Sequence, residues 1–346
     1  MISAEGVRIA ERQATLRKDR FFLQEVMGRV LRLGTMVSVS FFLLSTPGIL
    51  WGHGFAGKRF FPTTLAVDDP FVSDELSFLG SHIKEPGEGD QPTTKSTEIS
   101  LDYSKRVTPN LGISIGDSFR YMNPDRRKSQ IGMGNVEVGL KYQSLKSEGH
   151  ETILSLGLDA EIGGSGTRRV GAESFSVISP TFLFGKGLGD LPDSMKFLRP
   201  LAMTGAIGPN FPTRSKNVKT TLNDRTGDVE REIERNPTML AWGFSIQYNF
   251  QYLQSFVKDV GLGTPFNRLI VLLEFPFKTC LNRGCNGQTT GFVNPGLIWF
   301  GKTMQLGIEV QIPMNERTGN HVGVLGLIHF FLDDLFPKSI GRPIFP

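Results

Sequence analysis

Residues 152–164 read "TILSLGLDAEIGG" and carry two patterns at once. Leu154, Leu156, Leu158, Ala160 and Ile162 alternate with Ser155, Gly157, Asp159, Glu161 and Gly163. A period of two marks a β-strand whose faces meet different surroundings. One face is apolar along its length and the other is small, polar and acidic. In a water-soluble protein the apolar face would build the core. In a membrane-spanning barrel the arrangement inverts: the apolar face meets lipid and the acidic face lines a lumen.

The same pattern recurs along the chain. "TEISLDYSKRV" aligns Ile99, Leu101 and Tyr103, and "NLGISIGDSFRYM" aligns Leu111, Ile113, Ile115, Phe119 and Tyr121 opposite Gly112, Ser114, Gly116, Ser118 and Arg120. "NVEVGLKYQ" sets Val136, Val138, Leu140 and Tyr142 against Glu137, Gly139, Lys141 and Gln143. "MLAWGFSIQYNFQY" places Leu240, Trp242, Phe244, Ile246, Tyr248, Phe250 and Tyr252 on one face, and "MQLGIEVQIPM" does so with Leu306, Ile308, Val310, Ile312 and Met314. No sustained helical period follows residue 52. Twelve strands are predicted, at 74–83, 97–107, 111–122, 133–145, 152–163, 174–185, 196–209, 238–254, 268–278, 291–300, 304–314 and 321–331. Most exceed the ~5–6 residues usual in soluble sheets and approach the length a tilted membrane strand needs.

Loop length sorts by side. Odd-numbered connections are long, among them "KEPGEGDQPTTKS", "NPDRRKSQIG", "GSGTRRVGAE", the charged stretch 210–237 and "TCLNRGCNGQTT". Even-numbered ones include "TPN", "KSEGHE" and "GKT", with longer exceptions near 186–195 and 255–267. Long outer loops, short periplasmic turns and an even strand count belong together in outer-membrane barrels. With the first strand running outward, both termini fall on the periplasmic side.

Composition agrees. Of 346 residues 40 are Gly, about 12% against a usual ~7%, and the 20 Pro are spread along the chain, as turns between many strands require. A mean hydropathy of −0.12 suits a barrel, because half of each strand is polar. The aromatic set is lopsided: 27 Phe against 5 Tyr and 3 Trp, unlike the Tyr and Trp girdles usual in barrels.

Residues 36–51, "MVSVSFFLLSTPGILW", follow Arg29 and Arg32 and fit the apolar region of a signal peptide, with cleavage after Gly52 or Ala56. Residues 1–26 make an overlong basic lead and read as a misplaced start, Met27 being the ordinary initiator; an N-terminal anchor helix is the alternative. Taking the seven basic and four acidic residues of 1–52 from the totals of 38 and 34 leaves 31 and 30. That near-neutral remainder gives no argument for nucleic acid binding. The predicted organisation is a signal peptide over 1–52, a periplasmic segment or plug over 53–73, a barrel over 74–331 and a tail over 332–346.

This strand layout, together with the export signal and the aromatic-rich last strand "HVGVLGLIHFF", resembles Gram-negative outer-membrane β-barrels. Within that class it is loosely similar to transporter barrels of the phenol meta-pathway type. The resemblance covers roughly residues 70–331. It implies a channel or uptake component in the cell outer membrane for small solutes, hydrophobic or aromatic ones included, with lipid and solute as partners. The chain departs from the usual ending, since "LDDLFPKSIGRPIFP" follows the last strand.

The polar faces supply the site residues. Asp102, Arg120, Glu137, Lys141, Asp159, Glu161, Arg268, Glu274 and Glu309 fall opposite the apolar stripes and are the expected lumen lining, acid outnumbering base. Either they pair across a closed barrel or they line a conduit whose field biases what passes. Cys280 and Cys285 are expected to form a small-loop disulfide, since two thiols without a nearby His do not complete a zinc site. His321 and His329, eight apart on the last strand, share a face. His53, if cleavage follows Gly52, offers an amine and an imidazole as a weak copper chelate. Asp68–Asp69 and Asp333–Asp334 read as turn caps. "GGSG" at 163–166 lacks the Lys-Ser/Thr of a phosphate loop, and "GISIG" at 112–116 lies mid-strand, where a nucleophile elbow cannot form. No catalytic residue and no cofactor is expected. The alternatives to a channel are a structural envelope barrel and a lipid-modifying enzyme.

Overall fold

Alternation of this kind is satisfied by closing one antiparallel sheet on itself. The computed structural model describes residues 54–87, 92–222, 229–283, 285 and 287–345. The signal-peptide reading, the alternative start and His53 lie outside them. The wall consists of β1 (Glu75–Glu85), β2 (Thr94–Thr108), β3 (Leu111–Pro124), β4 in two pieces (Gln130–Met133 and Glu137–Ser147), β5 (Thr152–Glu161) and β6 (Val177–Gly187). It continues through β7 (Leu201–Pro212), β8 (Met239–Asn249), β9 (Leu269–Cys280), β10 (Thr289–Phe300), β11 (Met304–Pro313) and β12 (Gly323–Phe331). Each strand pairs antiparallel with the next, and β12 pairs with β1 in the register Leu327↔Leu79, giving a closed twelve-stranded barrel. Closure leaves no sheet edge to meet lipid. Among the described residues no helix is long and apolar enough to cross a membrane.

The opening question has a geometric answer. Leu156 and Leu158 of β5 are exposed on the outer wall, with Leu156 53% accessible. Leu156 sits in register between Tyr142 of β4 and Phe182 of β6, which are also exposed. Ile99, Ile115, Ile207, Leu297, Ile308 and Ile328 continue this outward apolar belt around the barrel. One residue departs from it: Asp117 stands in the outward stripe of β3 between Ile115 and Phe119, its Oδ1 accepting from the Ser118 amide at 2.6 Å.

Several boundaries differ from the sequence reading, for local reasons. The strand expected over 133–145 is interrupted at 134–136. There the Asn135 side chain takes over the pairing, donating to Glu161 Oε1 (2.8 Å) and the Glu173 carbonyl (3.0 Å) and accepting from the Gly166 amide (2.9 Å). The strand expected over 238–254 stops at Asn249, whose side chain accepts from the Tyr252 amide and starts a helical turn. Tyr252 therefore leaves the outward stripe and is buried beneath the barrel. Residues 193–198 form a 3-10 turn rather than the start of β7. His321 precedes β12 and so does not share a strand face with His329.

The lumen is occupied. Residues 54–74, called the strap below, enter from the side of the short turns. The strap opens with a small hairpin pairing Phe55–Ala56 with Arg59–Phe60. Its Phe60 and Leu65 pack against Ile270, Leu272, Ile298, Phe300, Leu325, Leu327 and Phe331 of β9, β10 and β12, with the partly buried Leu79 of β1 beside them. This corrects the expectation of a uniformly polar inner face. On that part of the wall both faces are apolar, because one meets lipid and the other meets the strap. A second cluster joins Ala56, Phe61 and Phe71 to Ile153 and Ala202.

The tail, residues 332–345, forms a short turn, Leu332–Leu335, and then runs back under β2. The Ile344 and Phe345 amides donate to the carbonyls of Arg106 (3.1 Å) and Val107 (2.8 Å). Asp74 ties this corner together: Lys105 Nζ (2.8 Å) and Arg106 Nε (2.7 Å) both reach its carboxylate. On the opposite, long-loop side, residues 216–222 and 229–235 form a two-stranded ribbon between β7 and β8.

Candidate functional site: a strap and two joined cavities

The strap leaves space along its flank. A chamber of about 540 Å³ lies between Asp68 and Asp69 of the strap and the inner faces of β2 to β5, with Asp102, Glu137, Lys141 and Asp159 in its wall. A second cavity of about 740 Å³ lies toward the long-loop end, bounded by Leu79, Ile83, Ala206, Ala241, Phe292 and Leu325. The two share Leu65, Val67, Asp68, Asp159 and Lys278 as lining, so they adjoin. A mostly apolar cavity, which also carries Glu85, Glu98 and Arg317, thus lies next to an acidic chamber.

The candidate residues separate into three groups. Asp102, Glu137 and Asp159 face the chamber and, among the described residues, form no direct hydrogen bond or ion pair. Lys141, Glu274 and Glu309 hold structure instead. Lys141 Nζ bonds Asp68 Oδ1 (3.1 Å) and the Asp69 carbonyl (2.8 Å) of the strap. The Glu274 carboxylate, fully buried on β9, accepts from three successive strap amides, those of Leu65 (2.9 Å), Ala66 (2.9 Å) and Val67 (3.1 Å). Three convergent N–H groups on one carboxylate are strong, charge-assisted bonds. Glu309 accepts from Asn294 Nδ2 at 3.1 Å. Glu161 is engaged by Asn135, and Arg120 pairs with Glu98 at 3.1 Å on the neighbouring strand. Arg268 does not line either cavity; it ends the 3-10 turn Phe266–Arg268 ahead of β9. Cys280 and Cys285 are joined in a disulfide, Cα to Cα 5.8 Å, at the long-loop end of β9.

Sequence reasoning gave several participants another role and missed Lys278 outright. Asp69 does cap a turn, its Oδ1 accepting from the Phe71 amide at 2.9 Å, yet its neighbour Asp68 also reaches the wall. Lys278, pointing inward from β9, is a cation facing the chamber, and the alternation of "EFPFKT" marks its side. His329 is buried between Ser77 Oγ (2.8 Å from Nδ1), Thr63 Oγ1 (3.4 Å from Nε2) and Glu75 Oε2 (3.7 Å from Nε2). Ser, His and Glu side by side invite comparison with a hydrolytic triad. Ser77, however, lies in the β1–β12 and β1–β2 ladders opposite His329 and Asp102, so the local amides sit within strand pairing and offer no oxyanion hole.

At the short-turn mouth a further cluster surrounds Arg59, which is 0% exposed. Its Nε donates to Glu151 Oε2 (3.1 Å), Nη1 to the Pro200 carbonyl (2.8 Å) and Nη2 to the Arg199 carbonyl, while the guanidinium lies 3.8 Å from the Tyr252 ring centre. Tyr252 Oη donates to Glu151 Oε1 at 2.9 Å. Burial and then the Glu151 carboxylate push the Tyr252 phenol up to about 12. At the tail corner, burial would raise the Asp74 carboxyl, but the Lys105 and Arg106 bonds outweigh it and hold Asp74 below its ordinary value.

No protein-family model matches the sequence, and no curated protein matches it. Solved structures are similar in fold. An outer-membrane channel from Pseudomonas putida F1 is 10% identical, with 79% of this chain and 99% of that one covered and a TM-score of 0.46. The KdgM porin is 12% identical over 73% and 98% of the two chains, TM-score 0.41. A TodX monoaromatic hydrocarbon channel mutant is 8% identical over 77% and 97%, TM-score 0.41. Likenesses this distant carry no solute or mechanism across. The closed wall and its apolar outer belt make the chain a membrane-spanning β-barrel of the outer-membrane type.

Proposed function

We propose that the chain is an outer-membrane channel or uptake component for small solutes. The observation that carries this reading is the adjoining pair of cavities beside the strap, about 740 and 540 Å³. A barrel serving as structure alone has no use for a lumen held open by unpaired carboxylates. The larger cavity, mostly apolar where Leu79, Ile83, Phe292 and Leu325 bound it but edged by Glu85, Glu98 and Arg317, favours a solute with a hydrophobic or aromatic part. The chamber beyond it, with Asp102, Glu137 and Asp159 facing Lys278, favours cations over anions. Lipid surrounds the belt and solute occupies the lumen. Among the described residues Asp102, Glu137 and Asp159 have no hydroxyl or thiol partner, so these three act by field and shape. Liposome swelling with small neutral and aromatic solutes, beside planar-bilayer conductance, tests the reading. Swelling no faster than in protein-free liposomes, with no conductance, would replace it with a structural envelope barrel.

A further inference from the structure

The Arg59 cluster is used by nothing in the solute path, yet it is the most elaborately prepared spot on the short-turn side. Arg59 belongs to the strap hairpin, whereas its partners come from three separate connections. Glu151 ends the β4–β5 turn, Arg199 and Pro200 end the β6–β7 connection, and Tyr252 begins the β8–β9 connection. The backbone is shaped around them. Glu151 holds φ +46°, a conformation costly for a residue with a side chain. A Cβ on Gly187 would run into Glu151 Oε2 and the Arg59 guanidinium, and one on Gly189 into Glu151 Oε1 and Tyr252 Oη. Gly57, at φ +61°, turns the hairpin where a Cβ would strike the Glu148 carbonyl. The Gly189 amide completes the site by donating to Glu151 Oε2 at 3.0 Å.

Stability alone does not account for this choice of residues. Exchanging a buried ion pair for apolar side chains is often neutral or stabilising, and a switch is among the better attested uses of such pairs. The rest of the strap is already anchored without Arg59, through the Phe60–Leu65 cluster and the three amides on Glu274. What Arg59 adds is the position of the hairpin 55–60, which packs through Phe60 on Phe300 and Phe331 and through Ala56 with Ile153 and Ala202, and so spans the short-turn mouth of the barrel.

We infer that Arg59, Glu151 and Tyr252 form a clasp that holds the strap hairpin shut across the periplasmic exit of the lumen. Releasing the clasp frees the hairpin tip, residues 55–59, while Phe60 and the strap body stay seated. The inference rests on the channel reading for its consequence but not for its geometry, and the test separates the two. Hydrogen exchange is measured over the hairpin, where the Phe61 amide donates to the Gly54 carbonyl at 2.7 Å, in wild type, Arg59→Met and Glu151→Gln. Exchange there should rise by at least about tenfold, the ratio for losing one hydrogen bond to a charged group, and exchange at Leu65–Val67 should not change. Liposome swelling is measured on the same variants beside a deletion of residues 54–59, which spares the anchoring Phe60. If the deletion swells faster and Arg59→Met follows it, the clasp gates the exit. If wild type swells and the deletion swells no faster, the hairpin does not gate the exit while the channel reading stands; if neither swells faster than protein-free liposomes, the channel reading fails, and hairpin exchange still decides whether the clasp exists. Should Arg59→Met not fold, Tyr252→Phe keeps the ring against the guanidinium and removes one bond to Glu151; a smaller rise in hairpin exchange is then expected. Wild-type exchange over 54–61 in every folded variant overturns the clasp.

Discussion

An arginine placed at Leu156 tests the inverted reading of β5 directly. The strand has ten residues, Thr152–Glu161. At ~3.4 Å per residue and a tilt of ~40°, it climbs about 26 Å along the membrane normal, close to the height of the apolar band. Leu156 is the fifth residue, so it sits about 12 Å up, near the midplane. Its side chain is outward, between Tyr142 and Phe182, with no carboxylate on either register partner to pair an incoming cation. A guanidinium there should cost ~2–4 kcal/mol. Asp159, three residues on and on the other face, lines the chamber. Asp159→Arg exchanges one charged group for another on a wall that already carries both signs and should cost less than Leu156→Arg, on the scale of about 1 kcal/mol for charge interactions away from lipid. The assay is reversible denaturant unfolding in lipid vesicles, followed by Trp fluorescence, with both variants beside wild type. A Leu156→Arg penalty smaller than that of Asp159→Arg would refute the assignment of faces. So would a Leu156→Arg protein that stays folded and monomeric without detergent.

Neutralising the chamber with Asp102→Asn, Glu137→Gln and Asp159→Asn together should move the zero-current potential in a salt gradient away from cation preference; an unchanged potential would detach the chamber from the conducting path. Acidification should undock the tail. The Asp74 carboxyl is held below its ordinary value, so its contribution is complete above the unfolded value near ~3.9 and is lost as pH falls through the folded value. Protection of the Ile344 and Phe345 amides should therefore drop below pH ~4 in wild type and already be low at neutral pH in Asp74→Asn; equal protection in both would show that the tail docks without Asp74. Reducing the Cys280–Cys285 disulfide removes a small-loop constraint and should cost about 2 kcal/mol, measured by unfolding with and without reductant, and no loss would mean the turn is equally ordered in both redox states.

What the sequence made legible follows from how far each feature depends on alternation. The outward stripes of β2, β3 and β5, the twelve strands and the sorting of loop lengths all come from local pattern, and local pattern survives into the fold. Tyr252 was misplaced because Asn249 supports a strand and caps a helical turn equally well, and only the Arg59 guanidinium and Glu151 carboxylate decide where the ring goes. Glu274 was legible as an inward residue, but not as the acceptor of three strap amides, because that partnership spans more than two hundred residues of sequence. The strap itself, "FPTTLAVDDPFVSD", has no period to read. Its shape is imposed by the wall around it.

The distribution of contacts along the strap limits how the lumen can open. On one side Phe60 and Leu65 cover Ile270, Leu272, Ile298, Phe300, Leu325, Leu327 and Phe331. Burial of one such side chain is worth ~1.5–3 kcal/mol, so exposing the set to water costs on the order of 10 kcal/mol, comparable with the stability of a whole domain. Expelling the strap is therefore not a working motion. On the other side, Asp68 and Asp69 meet Lys141 across a chamber that already holds space, and movement there exposes little apolar surface. Opening should consequently involve the hairpin tip 55–59 and the Asp68 side, with Phe60 and Leu65 as fixed points. Leu65→Ala removes one fixed point and should destabilise the folded barrel by ~2–5 kcal/mol, the range for a large-to-small change in a packed core. Asp68→Asn should leave unfolding within about 1 kcal/mol of wild type, since its ion pair with Lys141 is partly exposed, and should instead raise conductance by loosening that flank. If Leu65→Ala unfolds like wild type while Asp68→Asn collapses, the anchor lies on the acidic side and the strap moves as the mirror image of this scheme.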